Sequence, residues 1–100
     1  VSGSGPAYVY LLIEAMTEAG VREGLAFDVA KQLAAQTVLG TAQMVLQCET
    51  HPAQLRAQVT SPAGTTAEAL YQLEKAGFKA GVMDAVHACA QRSRQLGGHK

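Results

Sequence analysis

The sequence has no tryptophan, two cysteines and three prolines, and only 5% of its residues are aromatic. Two cysteines are too few for a disulfide framework, and nothing in the chain signals export, so reduced thiols are expected. Charge is scarce as well: 16% of residues are charged, with eight bases balancing eight acids. The bases are scattered among the acids, which excludes a basic nucleic-acid binder. The longest unbroken apolar run, Ala7 to Ile13, is far short of the roughly 20 residues that a membrane helix needs. What is there is 48% apolar residues in a chain of one hundred, enough for one folded domain and too many for disorder. A soluble, cytoplasmic protein with neither a nucleic-acid nor a membrane partner is expected.

Strand signals are missing too. There is no sustained period-2 alternation, and alanine, glutamine, leucine and glutamate dominate, so the fold is expected to be all-α. Val1 is not an initiator methionine, and no charged segment precedes the first apolar run as in a signal peptide. The chain therefore reads as a C-terminal or internal piece of a longer protein, with residues 1–100 forming one domain.

About five helices follow from the punctuation. Pro6 sits near the first helical position of a helix running to about Ala19, with Gly20 as its stop and Val21 folding back in a Schellman ending. Asp28 is the expected N-cap of a second helix from Val29 to about Cys48, roughly 30 Å long at 1.5 Å per residue. That helix is apolar almost all round, from Val29 and Leu33 to Met44, Val45 and Leu46. A helix without a solvated face must be buried, and so short a chain cannot cover it alone, so a second subunit or another domain is required. Pro52 to about Gln58 suits a short helix, Thr66 to Ala76 an amphipathic one ended by Gly77, and Phe78 to Leu96 the last. Its apolar stripe runs through Phe78, Val82, Ala85, Val86, Cys89, Ser93 and Leu96.

A metal site is not expected. Cys48, Cys89, His51 and His87 make a Cys2His2 inventory, but His87 and Cys89 lie about 200° apart around one helix and cannot share an ion. Gly3-Ser4-Gly5-Pro6 fails as a dinucleotide loop, lacking a third glycine and a preceding strand. No nucleophile has a convincing base beside it, so covalent hydrolysis is not indicated.

The stretch Val59-Thr60-Ser61-Pro62-Ala63-Gly64-Thr65-Thr66 is the best candidate for chemistry. It sets hydroxyls, a fixed turn and a glycine directly before a helix whose first N–H groups have no intrahelical partner, an arrangement that can bind carboxylate or phosphate. A solvated turn with a threonine N-cap explains the same residues without function. Glu49 stands at the end of the long helix, where a carboxylate interacts unfavourably with the helix dipole. It reads either as a functional acid or as a surface glutamate.

Taken together, Ser2-Gly3-Ser4-Gly5-Pro6-Ala7-Tyr8, His51-Pro52-x-x-Leu55, the Val59 to Thr66 stretch and Leu73-Glu74-x-x-Gly77-Phe78 resemble the pyrroline-5-carboxylate reductase family in order and spacing. The resemblance covers the C-terminal helical domain of that family. It implies a helical bundle dimerisation domain interlocked with a partner subunit, as a homodimer or a higher oligomer of dimers, with NADPH or NADH bound mainly by an N-terminal Rossmann domain absent from this chain. The family reduces 1-pyrroline-5-carboxylate to L-proline, the last step of proline biosynthesis. The resemblance further implies that Ser61, Ala63, Gly64, Thr65 and Thr66 bind substrate, that Thr66 orients the imine nitrogen, that Glu49 favours the iminium, and that Gln58 and Val59 border the nicotinamide. Ala63 departs from the family pattern, which usually has a second glycine there. A noncatalytic dimerisation module, or the C-terminal domain of another dehydrogenase acting on a small acid, remains an alternative.

Overall fold

The computed structural model describes residues 3–60 and 64–97. Five helices follow one another: α1 (Gly5–Arg22), α2 (Phe27–Gln47), α3 (Pro52–Gln58), α4 (Thr65–Lys75) and α5 (Phe78–Leu96), with no strand among the described residues. The all-α expectation holds, and both α3 and α5 run between the residues that the sequence punctuation marks. The chain divides into two compact units, Val1–Pro52 and Ala53–Lys100.

The first unit is a helical hairpin of α1 and α2. Pro6 occupies the first turn of α1 behind an N-cap at Ser4, where its missing N–H costs nothing. The expected stop at Gly20 is wrong, because α1 continues through it to Arg22. The Schellman ending lies one turn later. Gly24 adopts φ +110°, its N–H donates to Val21 O at 3.0 Å, and the Leu25 N–H reaches back to Gly20 O at 3.0 Å. Gly20 instead serves packing: a Cβ built on it would lie 3.1 Å from Ala30 Cβ and 3.4 Å from Leu25 Cδ1. Its missing side chain is what lets α2 come close.

The start of α2 also differs from expectation. Its N-cap is Ala26 in an extended conformation, and Asp28 lies inside the first turn without capping. A carboxylate there still favours the positive end of the helix dipole. Thr17, Ala30 and Ala34 are the buried residues of this unit among those described. Thr17 satisfies its hydroxyl by donating to Ile13 O, one turn back on its own helix, at 2.7 Å.

In the second unit α4 and α5 pack together. Gly77, at φ +78°, turns the chain from one to the other, a left-handed conformation that glycine adopts without the Cβ penalty. Val86, Cys89 and Ala90 are half-buried on α5, while Phe78, Val82 and Leu96 on the expected stripe stay exposed. None of the described residues in this unit is fully buried.

The chain thus covers little of its own apolar surface. Leu46 is 85% exposed and Tyr10 70%, and Leu11, Phe27, Leu33, Leu39 and Met44 are also exposed. Two separate folded bodies of half the mass would together expose about 6,500 Å². The accessible surface is 8106 Å². Each Å² of apolar area that these side chains bury would stabilise by about 25 cal/mol.

Candidate functional site at the start of helix α4

Gly64 is the N-cap of α4, extended at φ −87° and ψ 177°, and no side chain caps the helix. The helix therefore starts at Thr65, one residue before the expected position, and the threonine N-cap considered for this turn does not form. Glu68 makes the first intrahelical bond, its N–H donating to Gly64 O at 3.2 Å. The N–H groups of Thr65, Thr66 and Ala67 precede it in the first turn, where the helix has no carbonyl to offer them. Such donors, with the positive end of the helix dipole behind them, favour an anion.

Beside this turn lies an open groove lined by Gly64, Thr65, Ala67, Glu68 and Tyr71. Glu68 and Tyr71 were not anticipated from sequence, although their distance from Gly64 and Thr65 is one or two helical turns, the spacing that puts residues on one face. Thr66 is not among the groove residues. It is half-buried, as are Ala67 and Leu70. Ser61 and Ala63, named above as substrate contacts, lie outside the described residues.

The remaining candidates belong to other segments of the chain. Gln58 is the last residue of α3 and exposed. Val59 follows it with 69% of its surface open, an apolar side chain against which a flat ring can lie. Thr60 turns its hydroxyl onto Arg56 O at 2.7 Å, which removes it as a free donor. Glu49 belongs to the first unit and is exposed one residue beyond Cys48, the C-cap of α2. Among the described residues no three His, Cys, Asp or Glu side chains gather as metal ligands, and no helix is long and apolar enough to cross a membrane.

Fold and site together define a helical domain with an anion-favouring helix start and a large uncovered apolar surface. Residues 1–96 match the family model described as pyrroline-5-carboxylate reductase dimerisation, and the chain belongs to that family. It is 53% identical to the pyrroline-5-carboxylate reductase of Synechocystis over 97% of this chain and 36% of that protein. With the Glycine max enzyme it shares 55% identity over 96% of this chain and 35% of that one. The crystal structure of the Plasmodium falciparum reductase with NADP bound superposes with a TM-score of 0.93 at 46% identity, covering 96% of this chain and 37% of that one. The Coxiella burnetii reductase gives a TM-score of 0.92 at 44% identity over 96% of this chain and 36% of that one. The chain thus spans about a third of the length of the relatives it matches.

Proposed function

We propose that this chain is the helical dimerisation and substrate-binding domain of a cytoplasmic pyrroline-5-carboxylate reductase. The observation that carries the reading is the family match over residues 1–96, and the uncapped first turn of α4 at Thr65 supports it. In this reading the first-turn N–H groups of α4, with Ser61, Ala63, Gly64 and Thr65, hold the substrate carboxylate. The helix dipole adds to that attraction.

The Thr66 hydroxyl then meets the ring nitrogen. It orients the C=N bond and hydrogen-bonds to the amine as it forms, a positioning effect that needs no altered pKa. Protonation of the imine nitrogen makes the ring carbon more electrophilic, and Glu49 favours that cation electrostatically. When bound, NADPH or NADH supplies the hydride, which adds to the C=N carbon while the bond's π electrons go to nitrogen. Gln58 and the exposed Val59 side chain border its nicotinamide ring, and a separate nucleotide-binding domain holds the rest of the cofactor. The active unit is a homodimer through the apolar faces of α1 and α2.

The experiment is Thr66→Ala in the complete polypeptide. kcat/KM for 1-pyrroline-5-carboxylate is expected to fall by about tenfold or more, about 1.4 kcal/mol of transition-state stabilisation. Unchanged turnover would remove Thr66 from the mechanism.

A further inference from the structure

We propose that Gly40 is the point on α2 at which a helix of a second copy of this chain makes its closest approach, an inference that rests on the homodimer reading. Gly40 lies in the middle of α2, where glycine is the poorest helix former apart from proline. No contact within the chain explains it: a Cβ built there would meet nothing within 4 Å. Nor does it turn the chain, since the positive-φ glycines among the described residues are Gly24 and Gly77.

The chain contains its own template for such a position. On α1, Thr17 and Gly20 stand three residues apart. Thr17 bonds its hydroxyl to its own helix, and Gly20 admits Ala30 of α2 to a distance that a side chain would obstruct. On α2, Thr37 and Gly40 repeat that spacing. Thr37 donates to Leu33 O at 2.7 Å, and Thr41 donates to Thr37 O at 2.8 Å. Both hydroxyls spend their proton on their own helix, so this surface offers a neighbour methyl groups and acceptor lone pairs but no hydroxyl donor. Unlike Thr17, both threonines are exposed.

Leu33, Thr37, Gly40 and Met44 recur at intervals of four, three and four residues, the seam along which two helices pack. Gly40 lies about 120° around the axis from Ala34, which is buried in the hairpin. Gly40 lies about 80° beyond Ala30 as well, on the side away from Ala34, so it stands outside the strip that α1 covers, while Thr37 and Met44 border that strip. A second copy is the occupant because residues 1–96 match a dimerisation family and because the seam is apolar and uncharged, as the centre of an obligate interface is.

Sedimentation equilibrium of the complete polypeptide tests this, comparing the unaltered protein with Gly40→Leu and Gly40→Ala. The unaltered protein is expected to dimerise; a folded monomer at micromolar concentration would overturn the homodimer reading and this inference with it. Given a dimer, Gly40→Leu is expected to raise its dissociation constant by about tenfold or more while helix content by circular dichroism is retained. A folded Gly40→Leu protein with an unchanged or tighter dimer would overturn the assignment of Gly40 alone. If Gly40→Leu does not fold, Gly40→Ala decides in the same way. Alanine improves the helix itself, so a weaker dimer supports the close approach and an unchanged or tighter one overturns it.

Discussion

Gly20 of α1 and Ala30 of α2 meet so closely that a methyl group added to Gly20 would lie 3.1 Å from Ala30 Cβ. Two opposing effects act on Gly20→Ala. Alanine gains about 1 kcal/mol of helix propensity, and the crowding against Ala30 takes back a similar amount. The net change is expected within about 1 kcal/mol of zero. Gly20→Leu has no such compensation and is expected to destabilise by about 2 kcal/mol or more, read as a lower urea midpoint at constant m-value.

Gly24 and Gly77 respond differently. Each has positive φ with open space where a Cβ would be, so the cost of substitution is backbone strain rather than collision. Alanine at either position is expected to cost about 1–2 kcal/mol. Asparagine at Gly77, which tolerates the left-handed region better, should cost less. Melting temperatures of the three variants check the order.

Thr17 is buried and bonds to a carbonyl of its own helix. Ile13 O keeps its helical partner without it. Thr17→Val preserves the shape and is expected to change stability by less than about 1 kcal/mol, because both the donor and its burial cost are removed together. A loss of about 3 kcal/mol would show that the hydroxyl has a further partner.

In the proposed reaction the hydroxyl of Thr66, and not its methyl, is the working group. Thr66→Ser should therefore keep kcat/KM within about fivefold of the unaltered enzyme, whereas Thr66→Val should lose as much as Thr66→Ala, about tenfold or more. Equal losses for serine and valine would point to packing instead. Glu49→Gln, which keeps size and removes charge, is expected to lower kcat/KM for the imine by about threefold or more without lowering the melting temperature.

The helices were legible where a residue type has one structural meaning. Pro52 opens α3, and Gly77 before Phe78 separates α4 from α5, because proline fixes φ and glycine frees it. Gly20 was misread because Gly20-Val21 and Gly24-Leu25 are equivalent as sequence: each is a glycine followed by an apolar residue near a helix end. The tertiary contact with Ala30 decides between them, and no local pattern contains it. Asp28 was misplaced for a similar reason. Its preference for the N-cap is real, but the extended residue is Ala26. At the site, a glycine followed by two threonines located the helix start to within one residue, while Glu68 and Tyr71 emerged only once the turn of α4 placed them beside Gly64. The need of α2 for cover was visible in its composition, yet the cover itself belongs to no residue that the sequence could single out.

The exposure of Leu46, Leu33 and Tyr10 has a consequence for how this domain reaches its final state in solution. If those side chains find shelter on another copy, the free energy of folding contains the logarithm of protein concentration. The melting temperature then has no single value. It should climb as the protein is concentrated and fall on dilution, and newly made chains, at first too few to find one another, would be the ones most open to proteolysis.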